Sequence, residues 1–218
     1  MMPELLDDGP ADASVTLLLA HGAGAGMDTR FLAEMAGLLA ARNVRVLRFE
    51  FGYMASRRTS GKRRPAPKAD SLTGEYRAAV TAAQTHLAAA GSTSRLAIGG
   101  KSMGGRVASM AADDLRTEGL VIGLVCLGYP FHPPGTPEAT RTAHLEQLQC
   151  PTLIVQGERD PFGSRVEVQE YALAPSIRIA WIGDGDHDLG PRGSSGFTRK
   201  GNLAAAADAV AGFLLGLA

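Results

Sequence analysis

The chain has 218 residues, 45% of them hydrophobic and 20% charged, and its 22 Lys and Arg are balanced by 22 Asp and Glu. That length suits one domain spanning 1–218, with a core that needs no disulfide or metal staple. Balanced charge supplies no global field toward nucleic acid or an anionic membrane, so neither is expected as a partner. Residues 1–14 are acidic and lack the apolar centre of a signal peptide, and no run of about 18 apolar residues is present. A cytoplasmic location is the expectation. The two cysteines, Cys126 and Cys150, are expected to be small buried hydrophobes.

In chain order, apolar β-branched runs alternate with helical patterns. Val15–Ala20 predicts a strand that ends in a glycine-rich turn, 31–42 a helix, and Val44–Phe49 a second strand. The basic stretch 57–68 predicts a solvated, mobile loop that could also meet an anionic substrate. Residues 71–90 predict a helix, 95–99 a strand, 104–116 a helix, and 120–127 a strand. Residues 137–149 predict another helix, 152–156 a fifth strand, 165–173 a helix, Ile177–Ile182 a sixth strand, and 203–217 a closing helix. The strands are continuously apolar, which marks a parallel sheet covered on both faces. The expected fold class is therefore α/β, a three-layer α/β/α sandwich around about six mostly parallel strands. In such a sheet ligands bind beyond the carboxyl ends of the strands.

Those loops carry the chemistry. Gly100-Lys101-Ser102-Met103-Gly104-Gly105 falls between a predicted strand and a predicted helix. A sharp strand–turn–helix elbow projects a serine Oγ into the cleft, and glycines two residues to either side let strand and helix pass without a Cβ clash. The string Gly100-Lys101-Ser102 is also the tail of a phosphate loop. That motif needs a glycine five residues before Gly100, where Arg95 stands. His21-Gly22-Ala23-Gly24-Ala25-Gly26 follows the first strand and can aim a backbone N–H at a developing oxyanion beside the N–H of Met103. Ala23 is the expected donor and Gly24 the second choice, with His21 orienting the loop.

A serine nucleophile needs a base, and the base needs an orienting carboxylate. Asp160 ends the turn Gly157-Glu158-Arg159-Asp160-Pro161 after the fifth strand, with Glu158 as the alternative acid. His187 lies in Gly185-Asp186-His187-Asp188 after the sixth strand. Chain order and loop position give Ser102, Asp160 and His187 as the candidate triad, with Asp186 and Asp188 solvated or capping the loop. Tyr129-Pro130-Phe131-His132-Pro133-Pro134 follows the fourth strand, and Tyr129, Phe131 and His132 are candidates for a substrate wall. No histidine or cysteine spacing suits a metal, so no metal or other cofactor is expected.

Four segments, HGAGAG, GKSMGGR, GERDPFG and DGDHDL, together with LGYPFHP, resemble the small lidless α/β-hydrolases related to dienelactone hydrolase. The resemblance spans nearly the whole chain. It implies about six parallel strands, without the first two antiparallel strands of the full fold, and no cap domain. Dienelactone hydrolase itself carries a cysteine nucleophile where this chain has Ser102. The expected activity is hydrolysis of a small soluble ester or thioester through an acyl-enzyme. The alternative is a non-catalytic binding protein that keeps the fold, since the subgroup also resembles such a subunit.

Overall fold

The computed structural model describes residues 3–61 and 65–218. Among these residues seven strands form one sheet: β1 (Leu5–Asp8), β2 (Val15–Ala20), β3 (Val44–Phe49), β4 (Arg95–Lys101), β5 (Leu124–Leu127), β6 (Thr152–Gly157) and β7 (Ile177–Ile182). Their spatial order is β1-β3-β2-β4-β5-β6-β7. All neighbours are parallel except β1, which runs antiparallel to β3.

Among the described residues six helices accompany the sheet: α1 (Arg30–Ala40), α2 (Gly52–Ser60), α3 (Thr73–Ala89), α4 (Met103–Thr117), α5 (Arg165–Val168) and α6 (Arg199–Leu215). Alternate residues of the central strands feed two separate cores. Leu18, Leu47, Ile98, Cys126 and Ile154 pack against α3 and α4. Leu17, Leu19, Val46, Val125 and Val155 pack against α1 and α6. Both faces of β2, β3, β5 and β6 are buried, which is why their sequences are apolar without alternation. Cys126 and Cys150 are buried free thiols, and burial raises the pKa of both, that of Cys150 to about 12.

Three expectations are corrected. The sheet has a seventh, antiparallel edge strand, β1, inside the acidic N-terminal segment. Asp7 and Asp8 are held there by Arg45 and Arg48 of β3, with Nε of Arg45 2.9 Å from Asp7 Oδ1 and Nη2 of Arg48 2.8 Å from Asp8 Oδ2. The pairing is non-local, so the short acidic sequence does not announce a strand. Residues 137–149 form no α-helix and contain only a 3-10 turn, Ala143–Leu145. Here the N–H of Arg141 donates to the Phe131 carbonyl at 2.7 Å, and the Tyr129 hydroxyl donates to the Arg141 carbonyl at 3.0 Å. These cross-links hold the segment folded back on its own start while Leu145 and Leu148 enter the core. The helix expected over 165–173 is a single turn, α5.

The stretch expected as a loop begins inside α2, where Arg58 pairs with Glu50 at 2.7 Å and Asp28 at 2.9 Å. Lys62, Arg63 and Arg64 lie outside the described residues. Among the described residues no helix is long and apolar enough to cross a membrane.

Candidate active site

The elbow is built by close backbone contact. Strand β4 ends at Lys101 and α4 begins at Met103, leaving Ser102 as the hinge at φ 52° and ψ −117°. Such a conformation costs a non-glycine residue about 1–3 kcal/mol and persists only where the surroundings impose it. Here they do. A Cβ on Gly100 would overlap the Gly104 carbonyl carbon, and one on Gly104 would lie 2.5 Å from the His21 carbonyl oxygen. Only glycine lets the helix start this close to the strand and to the first loop. Buried Tyr76 of α3 fixes the strand from below, since its hydroxyl donates to the Gly99 carbonyl at 2.6 Å and accepts from the Gly99 N–H at 2.9 Å.

Asp160 and His187 come together from the ends of β6 and β7. His187 Nδ1 lies 2.8 Å from Asp160 Oδ2. Asp160 is fully buried, and its carboxylate also accepts from the Phe162 N–H at 2.8 Å and from Gln156 Nε2 at 3.0 Å. With Nδ1–H donated to the carboxylate, Nε2 is left as the free basic nitrogen. The Phe162 ring covers the imidazole, with centroids 4.3 Å apart. A Cβ on Gly157 would collide with the Asp186 and Gly185 carbonyls, so this glycine permits the two loops to approach. Glu158 is engaged elsewhere, accepting from Arg165 at 2.8 Å and from the Asp184 N–H at 3.0 Å. Asp186 caps its loop through the N–H groups of Asp188 and Gly190. Ser102 Oγ makes no hydrogen bond to His187 among the described residues, yet both side chains line one cavity of about 320 Å³.

The glycine-rich loop is anchored by His21. Its Nδ1–H donates to the Gly22 carbonyl at 2.6 Å, and its Nε2 accepts from the Phe51 N–H at 3.1 Å. Burial lowers its pKa, which keeps the ring neutral in this double role. Tyr53 donates to the Ala23 carbonyl at 3.0 Å. Ala23 lines the cavities on both sides of Ser102, and Met103 lines one of them.

Lys101, whose side chain is 9% exposed, extends beneath the histidine loop. Its Nζ donates to the His187 carbonyl at 2.8 Å, lies 3.2 Å from Asp188 Oδ1, and sits 5.4 Å from the centre of the Phe31 ring. Burial lowers its pKa, opposed by Asp188.

A second cavity, of about 490 Å³, opens on the other side of Ser102. It is lined by Ala66–Asp70, Met103, Arg106, Pro130, Arg141 and Phe162. Of the residues expected to form a substrate wall, Tyr129, Phe131 and His132 are all buried, and none of them lines either of these two cavities. Tyr129 and Phe131 pack on each other at 4.9 Å and turn into the core, leaving Pro130 to face the cavity. Sequence reasoning missed Arg106 and Arg141. Arg106 could have been found, because it stands one helical turn after Ser102 on the same helix face. Arg141 carries no local signal. Among the described residues no group of three or more His, Cys, Asp or Glu side chains is assembled as a metal site.

The chain matches a family model described as an alpha/beta hydrolase domain over residues 13–215. Dienelactone hydrolase from Anabaena variabilis superposes with a TM-score of 0.71 at 19% identity, covering 100% of this chain and 99% of that one. A lidless α/β serine hydrolase from Xanthomonas campestris superposes with a TM-score of 0.61 at 19% identity, covering 86% and 81%. An α/β serine hydrolase homologue from Coxiella burnetii gives a TM-score of 0.66 at 17% identity, covering 99% and 91%. The chain belongs to the α/β-hydrolase domain family, and its fold is that of the family's small lidless, dienelactone-hydrolase-like members.

Proposed function

We propose that this protein is a serine hydrolase that cleaves a small carboxylic ester or thioester through an acyl-enzyme. The observation that carries this reading is the Asp160–His187 pair, 2.8 Å apart, opening onto the cavity that the strained elbow residue Ser102 also lines. Ser102 Oγ attacks the carbonyl carbon while His187 Nε2 takes its proton. Asp160 holds the imidazole in the required tautomer and stabilises the imidazolium. The N–H groups of Ala23 and Met103 receive the oxyanion. His187 then protonates the leaving alcohol or thiol, and water cleaves the acyl-enzyme by the same route in reverse. Ester and thioester serve equally in this scheme, because no group other than the triad and two backbone donors enters it.

The test is labelling of the folded protein with a fluorophosphonate, followed by peptide mapping. One adduct on Ser102 is expected. An intact-mass measurement showing no adduct would favour a non-catalytic protein that keeps the fold, and an adduct confined to Ser164 would break the assignment of the nucleophile.

A further inference from the structure

The larger cavity beside Ser102 is lined by three cations, Lys68, Arg106 and Arg141, against one acid, Asp70. Arg106 lies on α4 four residues after Ser102, so its side chain rises on the same face as the nucleophile. Its Nη2 is 3.8 Å from Asp70 Oδ1, too far for a hydrogen bond, and the Asp70 side chain is 70% exposed. Its Nε is buried with no hydrogen-bond partner. Arg141 lines the same cavity, and its guanidinium makes no hydrogen bond or ion pair among the described residues. Its backbone is fixed on both sides, by Phe131 and by the Tyr129 hydroxyl. Burial and the neighbouring Arg106 charge lower the pKa of Arg141. Lys68 borders the same space. Two guanidinium groups that line one half-buried cavity and repel each other, one with an orphaned buried donor, are better satisfied when an anion joins them.

The position of His187 fixes which part of the substrate meets them. The leaving group must sit beside the imidazole that protonates it. His187 lines the 320 Å³ cavity and not the 490 Å³ one. The alcohol or thiol therefore leaves on the His187 side, and the acyl chain extends toward Arg106 and Arg141.

We propose that the acyl group taken by Ser102 is short and ends in a carboxylate, which Arg106 and Arg141 receive in the 490 Å³ cavity. The substrate class is the half-ester or half-thioester of a small dicarboxylic acid. One water is consumed, the bond between the carbonyl carbon and the alcohol oxygen or thiol sulfur breaks, and the dicarboxylate and the alcohol or thiol depart. Arginine suits the task, because its planar fork bonds both oxygens of a carboxylate. This proposal rests on the hydrolase reading above and adds the chemistry of the acyl end.

The experiment compares esters of equal length that differ only at the chain end: phenyl butyrate against phenyl hydrogen succinate, and phenyl hexanoate against phenyl hydrogen adipate. Rates are taken over an S102A blank, which removes spontaneous hydrolysis. In at least one pair the carboxylated ester is expected to show kcat/KM about tenfold or more above its neutral partner. R106Q and R141Q should each bring that ratio close to one. Inhibition of the wild-type protein by free succinate or adipate, but not by butyrate or hexanoate, supplies a check that needs no variant to fold. Wild-type protein that cleaves both members of each pair equally overturns the carboxylate subsite and leaves the hydrolase reading standing. A preference that persists in both arginine variants overturns their assignment. Protein that cleaves neither ester and takes no fluorophosphonate at Ser102 overturns the hydrolase reading itself.

Discussion

The two cavities that flank Ser102 are built on opposite electrostatic principles. On the His187 side every charge has a partner: Lys101 meets Asp188 and the His187 carbonyl, and Asp160 accepts three hydrogen bonds. On the other side Arg106 has one loose, exposed counter-ion and Arg141 has none among the described residues. A satisfied network is rigid and fixes geometry; unsatisfied donors wait for a ligand. In the proposed reading, the difference separates the part of the site that performs chemistry from the part that selects what enters it.

The sharpest break of that division removes the atom shared by both cavities. Ser102→Ala should lower kcat by about 10⁴- to 10⁶-fold. It should also raise stability or leave it nearly unchanged, since the strained φ remains and only a hydroxyl is lost. Ester turnover and a thermal melt on the same preparation check both halves. Activity within tenfold of wild type would place the nucleophile elsewhere.

Next in size is the carboxylate. Asp160→Asn keeps the shape but favours the wrong imidazole tautomer, and a loss on the order of 10⁴ in kcat is expected. Glu158→Gln, two residues away but bonded to Arg165 and the Asp184 N–H, should cost less than about tenfold. Comparable losses in the two variants would dissolve the distinction between them.

Lys101→Met tests the satisfied side without touching the reacting groups. It removes the donor to the His187 carbonyl and leaves Asp188 without its cation. A positioning role predicts a fall of roughly 10- to 100-fold confined to kcat, with KM moving little. A loss carried by KM instead would assign Lys101 to substrate binding.

The smallest effect concerns neutral chains. Residues 128–149 form no lid, so an extended acyl chain finds little apolar cover, and each added methylene should contribute less than the ~0.8 kcal/mol of a fully buried CH₂. Across p-nitrophenyl esters from acetate to palmitate, kcat/KM should be flat or falling from about C4. An optimum at C12 or longer would mean that another segment covers the chain.

Signals in the sequence differ in range, and legibility follows range. The elbow is local: strand, GKSMG and helix are contiguous, and the glycines that flank Ser102 can be read as a clash avoided. The loops carrying Asp160 and His187 are each local as well, and parallel-strand topology alone brings strand ends to one edge. Strand β1 could not be read this way, because four residues with two aspartates become a strand only against Arg45 and Arg48, about 40 positions on. The missing helix over 137–149 fails for the related reason that Tyr129 and Phe131 tie the segment back from a distance.

By itself, then, the sequence determined the layer order and the elbow, since apolar periodicity and glycine placement act over a few residues. It also singled out Asp160 and His187, each by its position in a loop after a strand. What surrounds Ser102 was set by tertiary contacts alone. They turned Tyr129, Phe131 and His132 inward, gave the facing position to Pro130, set Lys101 beneath the histidine loop, and brought Arg141 to Arg106 across 35 positions of chain. The physical reason is that a side chain's direction in an irregular segment is set by which groups elsewhere satisfy its backbone and fill its volume, and no window of sequence contains them.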